Sequence, residues 1–153
     1  MFEEVLGLPA HPLIVHTAVI FIPLLAVGSV VYGVVPRWRP SLGWAVAALA
    51  VAAPLTAFAA RQSGEAFEER LFSGGAPEGV MAQRIQEHES YALPLLLTSI
   101  GLGVVALLLV YSTARLGRTA TTVLSVLTVP LALVAGFYVL RAGHTGATAV
   151  WGG

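Results

Sequence analysis

Ala92-Leu-Pro-Leu-Leu-Leu-Thr-Ser-Ile-Gly-Leu-Gly-Val-Val-Ala-Leu-Leu-Leu-Val-Tyr111 covers residues 92–111 without one charged side chain. A helix needs about 20 predominantly apolar residues to cross a hydrocarbon core. Lipid offers a backbone no hydrogen bonds, so such a segment satisfies its own polar groups as a helix. The stretch reads as a transmembrane helix. Three others read the same way, at 13–35, 42–60 and 120–140, and none contains Arg or Glu. Charge returns at their ends, as Arg37-Trp-Arg-Pro40, Arg61, the 84–89 segment, Arg115, Arg118 and Arg141. Each stretch carries one interior proline: Pro23, Pro54, Pro94 and Pro130. Neighbouring helices re-satisfy the carbonyls that such prolines free, so kinks are expected rather than breaks. The expectation is an all-α integral membrane four-helix bundle, a single domain over 1–153.

Composition supports this and closes off other classes. The chain is 57% hydrophobic and 10% charged, with mean hydropathy +0.84; a soluble domain carries about 25% charge. Eight Arg balance eight Glu, with no Lys and no Asp, so the net charge is zero. Nucleic-acid binding needs a basic excess that this chain lacks. With no Cys there are no disulfides, iron–sulfur clusters, thiolate metal sites or covalently attached haem. With no Lys there is no Schiff base and no phosphate-binding P-loop lysine. Ser63 has no evident base partner in the sequence, which leaves nucleophilic catalysis without support.

Four spans place both termini and the 61–91 loop on one side. The short loops, 36–41 and 112–119, lie on the other and carry Arg37, Arg39, Arg115 and Arg118 without an acid. Positive-inside counting weights short loops, so these are expected to be cytoplasmic, with both termini outside. The opening Met1-Phe-Glu-Glu-Val is acidic, unlike the start of a cleaved signal peptide. Within 61–91, residues 64–72 read as a short amphipathic helix. Ser73-Gly-Gly-Ala-Pro-Glu-Gly79 reads as a turn, with Pro77 opening the next helix. Met81, Ile85, His88, Ala92 and Leu95 then recur at helical spacing. They form one face, running unbroken from a short amphipathic extension into the third span, with Pro94 bending it at the membrane surface. Trp38, Trp44, Trp151, Tyr32 and Tyr111 fit interfacial aromatic belts.

The histidines are the chemistry-bearing residues. His11 and His16 open the first span, His88 enters the third and His144 leaves the fourth, all at one end of the bundle. Ionisable groups at such depth are costly and usually face an interior or a cavity. A helix beginning at His11 would place His11 and His16 about 140° apart, so one straight face cannot carry both to one ion. Imidazoles converging from three helices suit a Zn, Cu or Fe ion, or a bis-histidine haem. His16 and His88 are the expected axial pair, being on apolar faces at similar depth. His11 and His144 form a second pair or support the first. Arg61, Arg84 or Arg141 would pair haem propionates; Glu65, Glu87 and Glu89 would complete a bare-ion site. The bland alternative is an accessory structural subunit with interfacial histidines. A weak echo joins the halves: Arg61-Gln-Ser-Gly-Glu-Ala66 follows the second span much as Arg141-Ala-Gly-His-Thr-Gly-Ala147 follows the fourth. Two parallel helical hairpins would produce it.

His11-Pro-Leu-Ile-Val-His16, a histidine entering the third span and Gly143-His-Thr-Gly-Ala-Thr-Ala-Val-Trp151 resemble a family. It is the group of small bacterial four-helix membrane proteins catalogued as domain of unknown function 2231. The resemblance spans essentially the whole chain. It implies a haem- or metal-associated protein of the bacterial envelope, in a family whose members are sometimes linked to cytochrome-type modules; the expected location is the bacterial inner membrane. The tail departs from the family pattern, reading Gly-Ala-Thr-Ala-Val-Trp where Gly-Gly-x-Leu-Val-Tyr is expected. On these grounds the expectation is a b-type haem electron carrier with its site near the periplasmic face. Its partners would be the lipid bilayer and a periplasmic redox protein or larger membrane complex. It would act as a carrier or accessory subunit rather than a stand-alone enzyme.

Overall fold

A computed structural model of the chain describes residues 4–5, 8–75 and 79–151. A two-residue antiparallel pairing, β1 (Glu4–Val5) with β2 (Leu8–Pro9), precedes five α-helices: α1 Ala10–Val34, α2 Arg39–Ser73, α3 Val80–Ser90, α4 Ala92–Arg115 and α5 Arg118–Trp151. Four stretches of helix are long and apolar enough to cross a membrane. Pro77 lies outside the described residues, as does the side chain of Trp151.

The helix ends follow from local chemistry. Pro36 disfavours helical backbone at the residue before it, and Val35 leaves the helix at φ −117°, ψ 82°. A single 3-10 turn, Pro36–Trp38, then leads into α2. Arg39 folds back across it, donating from Nε to the Tyr32 carbonyl (3.0 Å) and from Nη2 to the Gly33 carbonyl (2.8 Å). Two carbonyls left over at the end of α1 are thereby satisfied. Gly117, at φ +85°, closes α4 in the left-handed conformation that glycine adopts without penalty.

Two helices run well past the apolar stretches that announced them. The 64–72 segment is not a separate helix but the continuation of α2, which runs 35 residues to Ser73. The glycine-containing tail likewise continues α5, which runs 34 residues. Nothing in 61–73 breaks a helix, and its glutamates are good helix formers. The third span departs from expectation in the opposite sense. The helical face is interrupted at Tyr91, whose N–H reaches the His88 carbonyl at 3.2 Å in a tightened turn. Pro94 explains the place: it has no N–H to give the Ser90 carbonyl, and its ring crowds that same carbonyl. Pro23, Pro54 and Pro130 lie within continuous helices.

α1 packs on α2 and α5, and α4 packs on the same two, so α1 and α4 lie diagonally across the bundle. Exchanging the α1–α2 hairpin for the α3–α4–α5 unit preserves this set of neighbours, as two parallel repeats would. The core is small-residue packing around a few large side chains: Ile22 and Leu25 from α1, Ala50 and Ala53 from α2, Leu102 and Leu109 from α4. Alanine lets α2 approach closely, and a Cβ built on Gly103 of α4 would stand 2.5 Å from the Ala50 carbonyl oxygen. Buried Ser29, Ser99, Ser112 and Thr128 each donate to a carbonyl one turn earlier, so their hydroxyls cost little in the apolar interior. The outer surface is the apolar one, with Val27, Leu55, Leu133 and Leu140 exposed as lipid contact requires.

One aromatic differs from its expected place. Tyr32 is 3% exposed, not part of an interfacial belt. Its hydroxyl reaches Thr113 Oγ1 at 2.7 Å and joins α1 to the diagonal helix α4. Trp38, Trp44 and Tyr111 remain exposed.

Candidate functional site

At the end of the bundle opposite Tyr32, the first turn of α1 and the last turn of α3 bring His11 and His88 together. Their ring centroids are 6.4 Å apart with planes at 78°. His11 packs against the extension of α2, where Phe67 stacks on it at 6.2 Å and 13°. His88 packs against the extension of α5. Neither histidine would be held without the parts of α2 and α5 that continue beyond the apolar stretches.

The hydrogen bonds determine the protonation of the His11 ring and orient that of His88. His11 Nδ1 lies 3.1 Å from the Ala60 carbonyl and 3.0 Å from Ser63 Oγ. A carbonyl only accepts, so Nδ1 carries the proton. The Ser63 hydroxyl spends its own hydrogen on the Ala60 carbonyl (2.9 Å) and therefore accepts from the ring. At the second ring, His88 Nδ1 lies 3.2 Å from Thr145 Oγ1, whose hydrogen goes to the Arg141 carbonyl at 2.9 Å. His11 thus donates through Nδ1, which leaves the lone pair on its Nε2; the same tautomer at His88 would let its Nδ1 donate to Thr145 Oγ1. Burial first, then the neighbouring His88, holds the His11 imidazole below the usual histidine range, with the Ala60 carbonyl acting in the other direction.

The remaining sequence candidates are placed as follows. His16 is exposed on α1, on a different face from His11, as the 140° separation requires. His144 is exposed on α5. The structure therefore brings His11, not His16, to His88. Arg61 pairs with Glu65 at 2.9 Å. Arg84 donates to the Thr148 carbonyl at 3.4 Å. Arg141 donates to the Tyr91 hydroxyl at 2.8 and 3.2 Å, lies over that ring at 5.2 Å and stands 3.5 Å from Glu87. Glu65, Glu68, Glu69 and Glu89 line a shallow pocket of about 410 Å³ with Phe72. Among the described residues, no three His or Glu side chains converge as ligands of one ion.

Ser63 gains a neighbour that sequence reading missed, because His11 lies 52 positions away. The contact does not activate a nucleophile. The nitrogen facing Ser63 is the protonated one, so it has no lone pair with which to take the hydroxyl proton.

The family described as "Predicted membrane protein (DUF2231)" matches residues 7–153. The chain belongs to this family. The match includes His11, His88, Ser63 and Thr145, so the whole site lies within the family's domain. Neither the curated proteins nor the solved structures contain a match.

Proposed function

We propose that this membrane protein binds a b-type haem through His11 and His88 and carries single electrons at the outer face of the bilayer. The observation that supports the reading is the close pair of imidazoles, one from each hairpin, each turned by its Nδ1 toward a neighbouring helix. His11 and His88, with ring centroids 6.4 Å apart, would hold the haem, which asks the protein for two ligands and no third. A bare Zn, Cu or Fe ion asks for more, and no third His or Glu converges here among the described residues.

The haem supplies a reversible one-electron change at iron. The chain's own residues do the rest. His11 and His88 would bind, with the Ala60 carbonyl and the Ser63 and Thr145 hydroxyls orienting their rings. Phe67 shields the His11 ring from water. Arg61, Arg84 and Arg141 are cations at this end of the bundle, available to propionates by exchange with the partners they hold here. The reading puts the opposite end, with Arg37, Arg39, Arg115 and Arg118, in the cytoplasm of a bacterial inner membrane, which positive-inside counting supports. All four histidines lie away from that end, so this chain alone does not carry electrons through the bilayer. A periplasmic redox protein or a larger membrane complex would exchange them at the outer face.

The test is a reduced-minus-oxidised visible spectrum of the detergent-purified protein, with elemental analysis of the same sample. Sharp α and Soret bands with stoichiometric iron are expected, lost in His11→Ala and in His88→Ala and kept in His16→Ala. Bands lost only in His16→Ala would move the ligand pair. A transition metal without porphyrin bands would replace the reading with metal handling, and neither would leave an accessory structural subunit.

A further inference from the structure

The two histidines are held in the same way by two segments that are far apart in sequence. On α2, Ala60 offers a carbonyl, Ser63 a hydroxyl oxygen, and Gly64 an open face. On α5, Thr145 offers the hydroxyl oxygen and Gly146 the open face, with Ala142 standing where Ala60 stands on α2. The spacing i, i+3, i+4 is identical, and it lines one face of a helix. A Cβ on Gly64 would stand 3.1 Å from His11 Cε1, and one on Gly146 would stand 3.0 Å from His88 Cε1. In each case the Nδ1–Cε1 edge of the ring lies against the glycine, where a methyl group would force it outward. In space Ser63 matches Thr145 and Gly64 matches Gly146, two residues out of register with a sequence echo aligned on Arg61 and Arg141.

We propose that Ala60–Ser63–Gly64 and Ala142–Thr145–Gly146 are two copies of one imidazole cradle, in which Ser63 and Thr145 are positioning residues that fix how both rings present Nε2. The glycine lets the ring edge reach the helix. The hydroxyl oxygen, joined at His11 by the Ala60 carbonyl, then accepts at Nδ1 and holds its proton there. An Nδ1–H bonded to an acceptor makes the opposite nitrogen a better electron donor. If the site holds haem as read above, two cradles acting alike favour ferric iron and set its potential lower than one would. The cradle itself does not depend on that reading, because it concerns the rings alone.

The experiment uses the full-length protein in detergent, with 15N-labelled histidine, and reads which ring nitrogen of His11 and His88 carries the proton. Both are expected as Nδ1–H. Ser63→Ala and Thr145→Ala each remove one acceptor and should speed proton exchange at the facing Nδ1 by about fivefold, the worth of one modest hydrogen bond. Ser63→Thr and Thr145→Ser keep the acceptor and should retain the slow rate. Gly64→Ala should shift the His11 signals and leave those of His88, and Gly146→Ala should do the reverse. In a haem-loaded sample the alanine variants at 63 and 145 should raise the midpoint potential, and the conservative variants should not. An Nε2–H at either ring, or unchanged signals in both glycine variants, overturns the cradle whatever the sample binds. Two Nδ1–H rings in protein without a haem spectrum would uphold the cradle and remove the haem reading; a haem spectrum with the other tautomer would do the opposite.

Discussion

Replacing Gly103 with alanine tests whether the α2–α4 crossing is set by backbone contact. A Cβ at this position would meet the Ala50 carbonyl oxygen at 2.5 Å and Pro54 Cγ at 3.2 Å. Ordinary contact lies near 3.5 Å, so the helices must separate by about 1 Å at this level. The carbonyl belongs to the backbone of α2 and cannot rotate aside as a side chain would. The separation would loosen Ala53, Leu102 and Ala106, all fully buried at the same crossing. A gap of 0.5–1 Å forfeits roughly a quarter to a half of the dispersion at each affected contact. Overpacking of this kind costs about 1–3 kcal/mol. Gly136→Ala is the control: its Cβ meets nothing within 4 Å, and alanine in a helix gains about 0.5–1 kcal/mol over glycine. Equilibrium unfolding in mixed detergent micelles should place the two variants on opposite sides of the parent. Equal stability of Gly103→Ala and Gly136→Ala would refute the argument that this backbone contact limits the approach of α2 and α4.

Two further outcomes are expected. Tyr32→Phe deletes the 2.7 Å bond to Thr113 Oγ1. The Thr113 hydroxyl keeps its bond to the Val110 carbonyl, so the loss should be near the 0.6 kcal/mol typical of interhelical bonds in membranes, roughly. A double-mutant cycle with Thr113→Val checks it, and additive single effects would show that the bond contributes nothing. The second concerns pH. His11 is held below its usual range in the folded protein by burial and then by His88, so the unfolded chain binds the proton more readily. Its contribution to stability should be complete above about pH 6.5, the ordinary histidine value, and should be lost as pH falls below that. Unfolding measured across pH 5–8, roughly, for the parent and His11→Ala should show the acid-side slope shallower in the variant; parallel slopes would mean the ring is not held as described.

The four spans were legible because lipid imposes a rule on the sequence itself. A segment either lacks charge for about 20 residues or it does not, and no knowledge of neighbours is needed to see it. The ends of α2 and α5 were less legible, since helix beyond the hydrocarbon core carries no apolar signature; only the absence of a breaker between Arg61 and Ser73 pointed to it. Tyr32 was misplaced because an aromatic near a span end looks the same in sequence whether it faces headgroups or a neighbouring helix.

The sequence by itself determined that the chain is a four-span membrane helix bundle, that its histidines gather at one end, and that His11 and His16 diverge by helical periodicity. Which of the two meets His88 was a matter for the tertiary structure alone. The rotation of α1 about its axis is set by packing against α2 and α5, and no local pattern records it. The same packing brings Ser63 to His11 across 52 positions and Thr145 to His88 across 57. The tautomer of His11 follows from such contacts, because it is decided by what lies opposite a nitrogen, and that is a property of helices placed side by side.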